Sequence, residues 1–249
     1  MIPVLVAHRG YWERYPENTL VAIEAALQAG ACVIEFDVQL CADRTPVLLH
    51  DDNLQRTAGI DASVFVLEAD ELAAISVHEP ARLDETFRPA PVPALAQVLA
   101  LLARYPDTTA MVEIKQESID FFGLEHTMDV LLDILRPCAH RCTLIAYNAD
   151  ALVYARAHGH SRIGWVLEVF DDAHRLRAAE LKPDYLICNH KKIAQQALWQ
   201  GGWQWMLYDI SDAQTALELA ARGADLIETR DIGALLQHPG LSERGCGHG

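Results

Sequence analysis

From residue 109 onward the chain alternates short apolar runs with amphipathic ones, and that rhythm restricts what it can fold into. Strand-like runs fall near 109–115, 143–147, 163–168, 185–189, 203–208 and 225–229, with helical stretches at 149–157, 173–180, 191–199 and 212–222 between them. Two further strand-like runs precede them, at 3–7 and 33–38, separated by a helical stretch from Leu20 to Gly30 that Asn18 or Thr19 can cap. Eight strand–helix units in 249 residues predict an α/β fold of the TIM (β/α)8 barrel type in a single domain, 1–249. A doubly wound open sheet is the alternative, but no GxGxxG turn follows the first strand. Residues 52–92 break the rhythm with polar, proline-rich and short helical pieces. They are too long for an ordinary loop and read as a small insertion.

The second strand carries the first chemical signal. In Val33-Ile34-Glu35-Phe36-Asp37-Val38, the apolar Ile34, Phe36 and Val38 share one face and Glu35 and Asp37 the other. Two carboxylates about 7 Å apart at the backbone, inside an apolar run, are costly to desolvate unless a cation holds them. A polar turn follows, and Pro46-Val47-Leu48-Leu49-His50 returns as a hairpin arm rather than as a ninth barrel strand. Folding about Asp43-Arg44 would set His50 opposite Asp37 on the same face, with side chains about 5 Å apart.

Catalytic residues of a (β/α)8 barrel lie at the C-terminal ends of its strands. His8 and Arg9 end the first strand, Glu35 and Asp37 the second, and Glu113 and Lys115 the third. Glu35, Asp37 and Glu113 are hard oxygen donors suited to Mg²⁺ or Ca²⁺ rather than zinc. Arg9 and Lys115 are cations fit for a phosphate. His8 and His50 can exchange protons near neutral pH as a base and an acid. Together these parts can displace an alcohol from a phosphodiester.

Composition narrows the partners. A formal net charge of −15 disfavours nucleic acid and anionic membrane surfaces. No stretch has the length to span a bilayer, and the first residues, MIPVLVAHRG, read as a strand rather than a leader, so a cytoplasmic location is expected. The six cysteines, 32, 41, 138, 142, 188 and 246, form no CxxC pair and read as a reduced set; Cys138 and Cys142 lack the other half of a zinc site. The Gly-rich tail from Gly240, with His248, reads as disordered. Nothing in the residues specifies an oligomeric state.

His8-Arg9-Gly10, Pro16-Glu17-Asn18-Thr19, Ile34-Glu35-Phe36-Asp37-Val38, Pro46-Val47 with His50-Asp51, Leu54 with Arg56-Thr57, and Glu113-Ile114-Lys115 together resemble the glycerophosphodiester phosphodiesterase family. The resemblance implies a divalent cation on Glu35, Asp37 and Glu113, His8 and His50 as the acid–base pair, and Arg9 and Lys115 at the phosphate. It implies a small glycerophosphodiester as substrate, hydrolysed to sn-glycerol 3-phosphate and an alcohol, often by way of a cyclic phosphate. By the same resemblance Trp205 lines the alcohol pocket. Arg44 stands where the family usually has glycine, Tyr208 where it has a small amide, and Arg230 where it often has aspartate. These departures bear on substrate identity. A phospholipase D-like enzyme acting on lysophospholipids and a non-catalytic phosphodiester-binding barrel are the alternatives.

Overall fold

The strand–helix rhythm closes on itself. In the computed structural model, which describes residues 2–242, the barrel strands are β1 (Val4–Ala7), β2 (Val33–Leu40), β4 (Thr109–Ile114), β5 (Cys142–Ala146), β6 (Ile163–Val166), β7 (Tyr185–Asn189), β8 (Gln204–Tyr208) and β9 (Leu226–Thr229), and β3 (Pro46–Leu48) is the hairpin arm. Successive barrel strands pair in parallel, and β1 pairs with both β9 and β2, which leaves no open edge. Each strand is thereby buried on both faces. Outward side chains meet the surrounding helices in the large core, while Val6, Met111, Ile145, Val166, Ile187, Met206 and Leu226 fill the barrel interior.

β1 stops opposite Ile34, whereas β2 runs on to Leu40. β3 takes up the edge so exposed, pairing antiparallel as Val38↔Leu48, Gln39↔Val47 and Leu40↔Pro46. The register is one residue away from the expected one: the Leu49 amide, not that of His50, donates to the Asp37 carbonyl, at 3.2 Å. The cause is the turn. Cys41 N–H bonds to Thr45 O across a three-residue loop, and Arg44 holds the left-handed position at φ 69°. His50 is therefore not a strand partner of Asp37; it reaches the barrel mouth from the bend after β3.

Residues 52–92 pack a small core of their own, Leu54, Val64, Leu72, Val77 and Val92, against Cys41, Val47 and Leu49 of the hairpin. The helix expected at 191–199 ends after one turn, His190–Ile193, where Ala194 takes a φ of 50° and Arg222 binds the carbonyls of Ala194 and Gln196. Cys41, Cys138, Cys142 and Cys188 are free, but Cys32 is disulfide-bonded. The reduced set was expected because the six cysteines form no CxxC pair. No helix among the described residues is long and apolar enough to cross a membrane. The tail expected to be disordered, with His248, lies beyond residue 242 for all but its first three positions, outside the described residues.

Candidate active site

Alternation along the strands decides which side chains reach the barrel mouth. His8, Arg9, Asp37, His50, Glu113, Lys115, Tyr147, Met206, Tyr208 and Glu228 line a cavity of about 130 Å³ there, with Ile145, Val166 and Ile187 below. Glu35, Asp37 and Glu113 each present a carboxylate oxygen within 4.8 Å of the others, though no residue of that triad follows another directly in sequence. Lys115 Nζ lies 2.8 Å from Glu113 and 3.4 Å from Asp37. Arg9 reaches Asp37 through Nε and Glu17 through Nη1, both at 3.0 Å, and its backbone N–H donates to Glu35 at 3.0 Å.

Two short motifs hold this set in place. Gly10 turns the chain at φ 81°, and a Cβ there would lie 2.6 Å from the Ala22 backbone, so only glycine lets β1 end against the following helix. Asn18, at φ 53°, fills the gap in the β2 edge between β1 and β3. Its side chain accepts from the Asp37 N–H at 3.1 Å and donates to the Asp37 carboxylate at 2.9 Å. Thr19 caps the helix Leu20–Gln28. Glu17 next binds Arg56 in bidentate fashion at 2.6 and 2.7 Å, Arg56 Nε reaches Asp51 at 2.8 Å, and Asp51 pairs with His50 Nδ1 at 2.6 Å. A chain of alternating charge thus runs from Arg9 to His50. The hydrogen bond from His50, aided by Arg56, holds the Asp51 carboxyl well below the usual range. As an anion Asp51 accepts the Nδ1–H, which leaves His50 Nε2 for chemistry.

The electrostatics of the centre follow from burial. Desolvation raises Glu35 well above its ordinary pKa, and Asp37, Glu228 and Glu113 add to the rise. Burial would also raise Asp37, but Arg9 and Lys115 overcome it and hold that carboxyl far below the usual range. Lys115, though buried, stays above its ordinary value because Asp37 and Glu113 flank it. His8, 4.0 Å from Glu35, is lowered to about 3 by burial and by Arg9. Glu35, Asp37, Glu113 and Glu228 outnumber the cations Arg9 and Lys115 at this centre, an excess of acid that a bound cation would offset. The Oε1 atom of Glu35 is buried with no hydrogen-bond partner. An all-oxygen triad with such an orphaned atom fits a hard divalent cation.

Seven of the eight residues singled out from sequence converge on this centre: His8, Arg9, Glu35, Asp37, His50, Glu113 and Lys115. Trp205 does not. It is 3% exposed on the outward face of β8, beside Phe170 and Trp199, and its indole donates to the Trp199 carbonyl. Its neighbours Met206 and Tyr208 have the inward parity, and the Tyr208 hydroxyl meets that of Tyr147 at 2.9 Å. Sequence reading passed over Tyr147 and Glu228. Glu228 stands two residues after Leu226 on an apolar strand, so the same alternation that exposed Glu113 could have found it.

At the C-terminal mouth of a closed parallel barrel, a largely buried acid triad thus stands with two imidazoles. The chain belongs to the glycerophosphoryl diester phosphodiesterase family, whose model matches residues 8–232. It is 35% identical over 125 residues to a glycerophosphodiester phosphodiesterase of Bacillus altitudinis, covering 49% of each chain. It is 30% identical over 128 residues to one of Caldanaerobacter subterraneus, covering 51% of each. These matches span about half the length of each relative. The fold is that of an Oleispira antarctica phosphodiesterase solved with the product sn-glycerol-3-phosphate, at a TM-score of 0.81, 23% identity, and 94% and 95% coverage of the two chains.

Proposed function

We propose that this barrel hydrolyses small glycerophosphodiesters to sn-glycerol 3-phosphate and an alcohol. The observation that carries the reading is the convergence of His8, His50, Lys115 and an acid triad with one orphaned oxygen, Glu35 Oε1, at one barrel mouth. Family membership supports the same reading. Glu35, Asp37 and Glu113 would hold a divalent cation, Mg²⁺ or Ca²⁺, which when bound polarises a phosphoryl oxygen and offsets charge at phosphorus.

The chain's own residues account for the rest. Lys115, and the part of Arg9 not taken by Glu17 and Asp37, attract the anionic diester into an otherwise acidic molecule. One imidazole takes the proton of the attacking hydroxyl as the new oxygen–phosphorus bond forms. The other gives a proton to the departing alkoxide as the old bond breaks. His50 keeps its aim through the charge-assisted hydrogen bond to Asp51. The cavity's modest size and its Tyr147–Tyr208 wall favour a compact polar substrate over a lipid. The test is release of glycerol phosphate from glycerophosphocholine by the purified protein with Mg²⁺ or Ca²⁺, abolished by chelation.

A lysophospholipid substrate has one observation in its favour. Phe65 of the insertion stacks at 4.6 Å on Phe121, which is 58% exposed on the helix Gln116–Phe122 that starts directly after Lys115. Faster cleavage of lysophosphatidylcholine than of glycerophosphocholine would select that reading.

A further inference from the structure

Glu228 is a carboxylate that neither the acid triad nor the proton-transfer pair needs. It is 4% exposed, lines the cavity, and its Oε1 is buried with no hydrogen-bond partner. An apolar side chain would fill that position as Leu226 fills the one below it. Burying an unpaired carboxylate is costly, and the two cations of the cavity are engaged elsewhere, Arg9 with Glu17 and Asp37 and Lys115 with Asp37 and Glu113. One oxygen of Glu228, one of Glu35 and a ring nitrogen of His8 all lie within 4.8 Å of one another. His8 Nε2 is 4.0 Å from Glu35 Oε2. Glu35 thus belongs to two triads at once, and its own Oε1 is also buried without a partner.

We propose that His8, Glu35 and Glu228 form a second cation position next to the Glu35–Asp37–Glu113 one, and that filling it stops turnover. The two donor sets differ in chemistry. Three oxygens select Mg²⁺ or Ca²⁺, whereas one imidazole with two carboxylates suits a divalent transition ion such as Zn²⁺. This rests on His8 acting as a proton carrier: an ion on its ring nitrogen takes the lone pair that would accept the proton. No covalent bond changes; the imidazole exchanges a proton-accepting role for a ligand's. The second ion is a brake built on a residue of the first site.

Equilibrium dialysis of Mg²⁺-loaded protein against Zn²⁺ tests the site independently of turnover. The wild type should take up one Zn²⁺ that Glu228→Gln does not, while both retain Mg²⁺. Glu228→Leu, matched to the fit of Leu226, repeats the comparison should the amide disturb folding. In parallel, Zn²⁺ should inhibit glycerophosphocholine hydrolysis by the wild type, and at least tenfold more should be needed in the Glu228 variants. Zn²⁺ displacing Mg²⁺ one for one, or equal Zn²⁺ uptake and inhibition in wild type and variants, would overturn the second position. Zn²⁺ uptake that depends on Glu228 without any effect on turnover would overturn the brake while leaving the binding site. A protein that binds Zn²⁺ through Glu228 but cleaves no phosphodiester would instead count against the proposed activity.

Discussion

Because Asp51 accepts the Nδ1–H of His50, the orientation of that imidazole depends on its sequence neighbour and, through Arg56, on Glu17. His50→Ala should lower turnover of glycerophosphocholine by about 10²- to 10⁴-fold, the usual worth of a positioned acid or base. Asp51→Asn leaves the ring present but poorly aimed, and should cost on the order of tenfold in kcat with little change in KM. Equal activity of Asp51→Asn and wild type would show that the Asp51 contact is ornamental. Arg44 makes a different point. It occupies a left-handed position that costs a side-chain-bearing residue about 1–2 kcal/mol, part of which glycine returns through its greater freedom when unfolded. Arg44→Gly should therefore leave stability unchanged or raise it by up to about 1 kcal/mol, read as the midpoint of urea unfolding. At this scale the residue types were legible and their directions were not always so. Trp205 was assigned by likeness where parity points it outward, and Glu228 was passed over although alternation from Leu226 marks it as inward.

The elements are tied together by a few buried polar contacts rather than by extra strand pairing. Asn18 closes the part of the β2 edge that neither β1 nor β3 covers, and it is 2% exposed. Asn18→Ala leaves a buried N–H unpaired and places alanine at a positive φ, which should cost on the order of 3 kcal/mol. A melting temperature within a degree of wild type would contradict that role. The insertion buttresses the same loop: Glu79 accepts from the Glu17 N–H at 2.8 Å, and Arg82 bonds to Glu79 and to the Glu13 and Tyr15 carbonyls. Strand positions could be read from alternation because burial on both faces imposes a plain apolar pattern. The hairpin register could not, because one residue more or less in the turn moves every pairing. The short helix at 190–193 was over-read, since the backbone reversal at Ala194 has no glycine to mark it.

For the whole molecule the barrel was legible from eight repeats of one unit, while the balance of its acid centre turns on buried carboxylates that could hold a cation. Glu35 and Glu228 have folded pKa values raised above 4.5, so their contribution to stability is complete below that pH and is lost as pH rises through the folded values. His8 runs the other way: with its pKa lowered from 6.5 to about 3, its contribution is complete above 6.5 and is lost as pH falls toward 3. A bound divalent ion engages the ionised carboxylates and offsets their repulsion. Mg²⁺ should therefore raise the melting temperature more at pH 8 than at pH 5, and an equal rise at both would mean that the acids are not its ligands.

The most direct measurement is glycerol phosphate release from glycerophosphocholine, followed for wild type and His50→Ala with Mg²⁺ or Ca²⁺ and again after chelation. Release by the metal-loaded wild type, none after chelation, and a loss of about 10²-fold or more in a His50→Ala protein that melts like the wild type is the predicted result. Undiminished release by metal-free His50→Ala protein would contradict it.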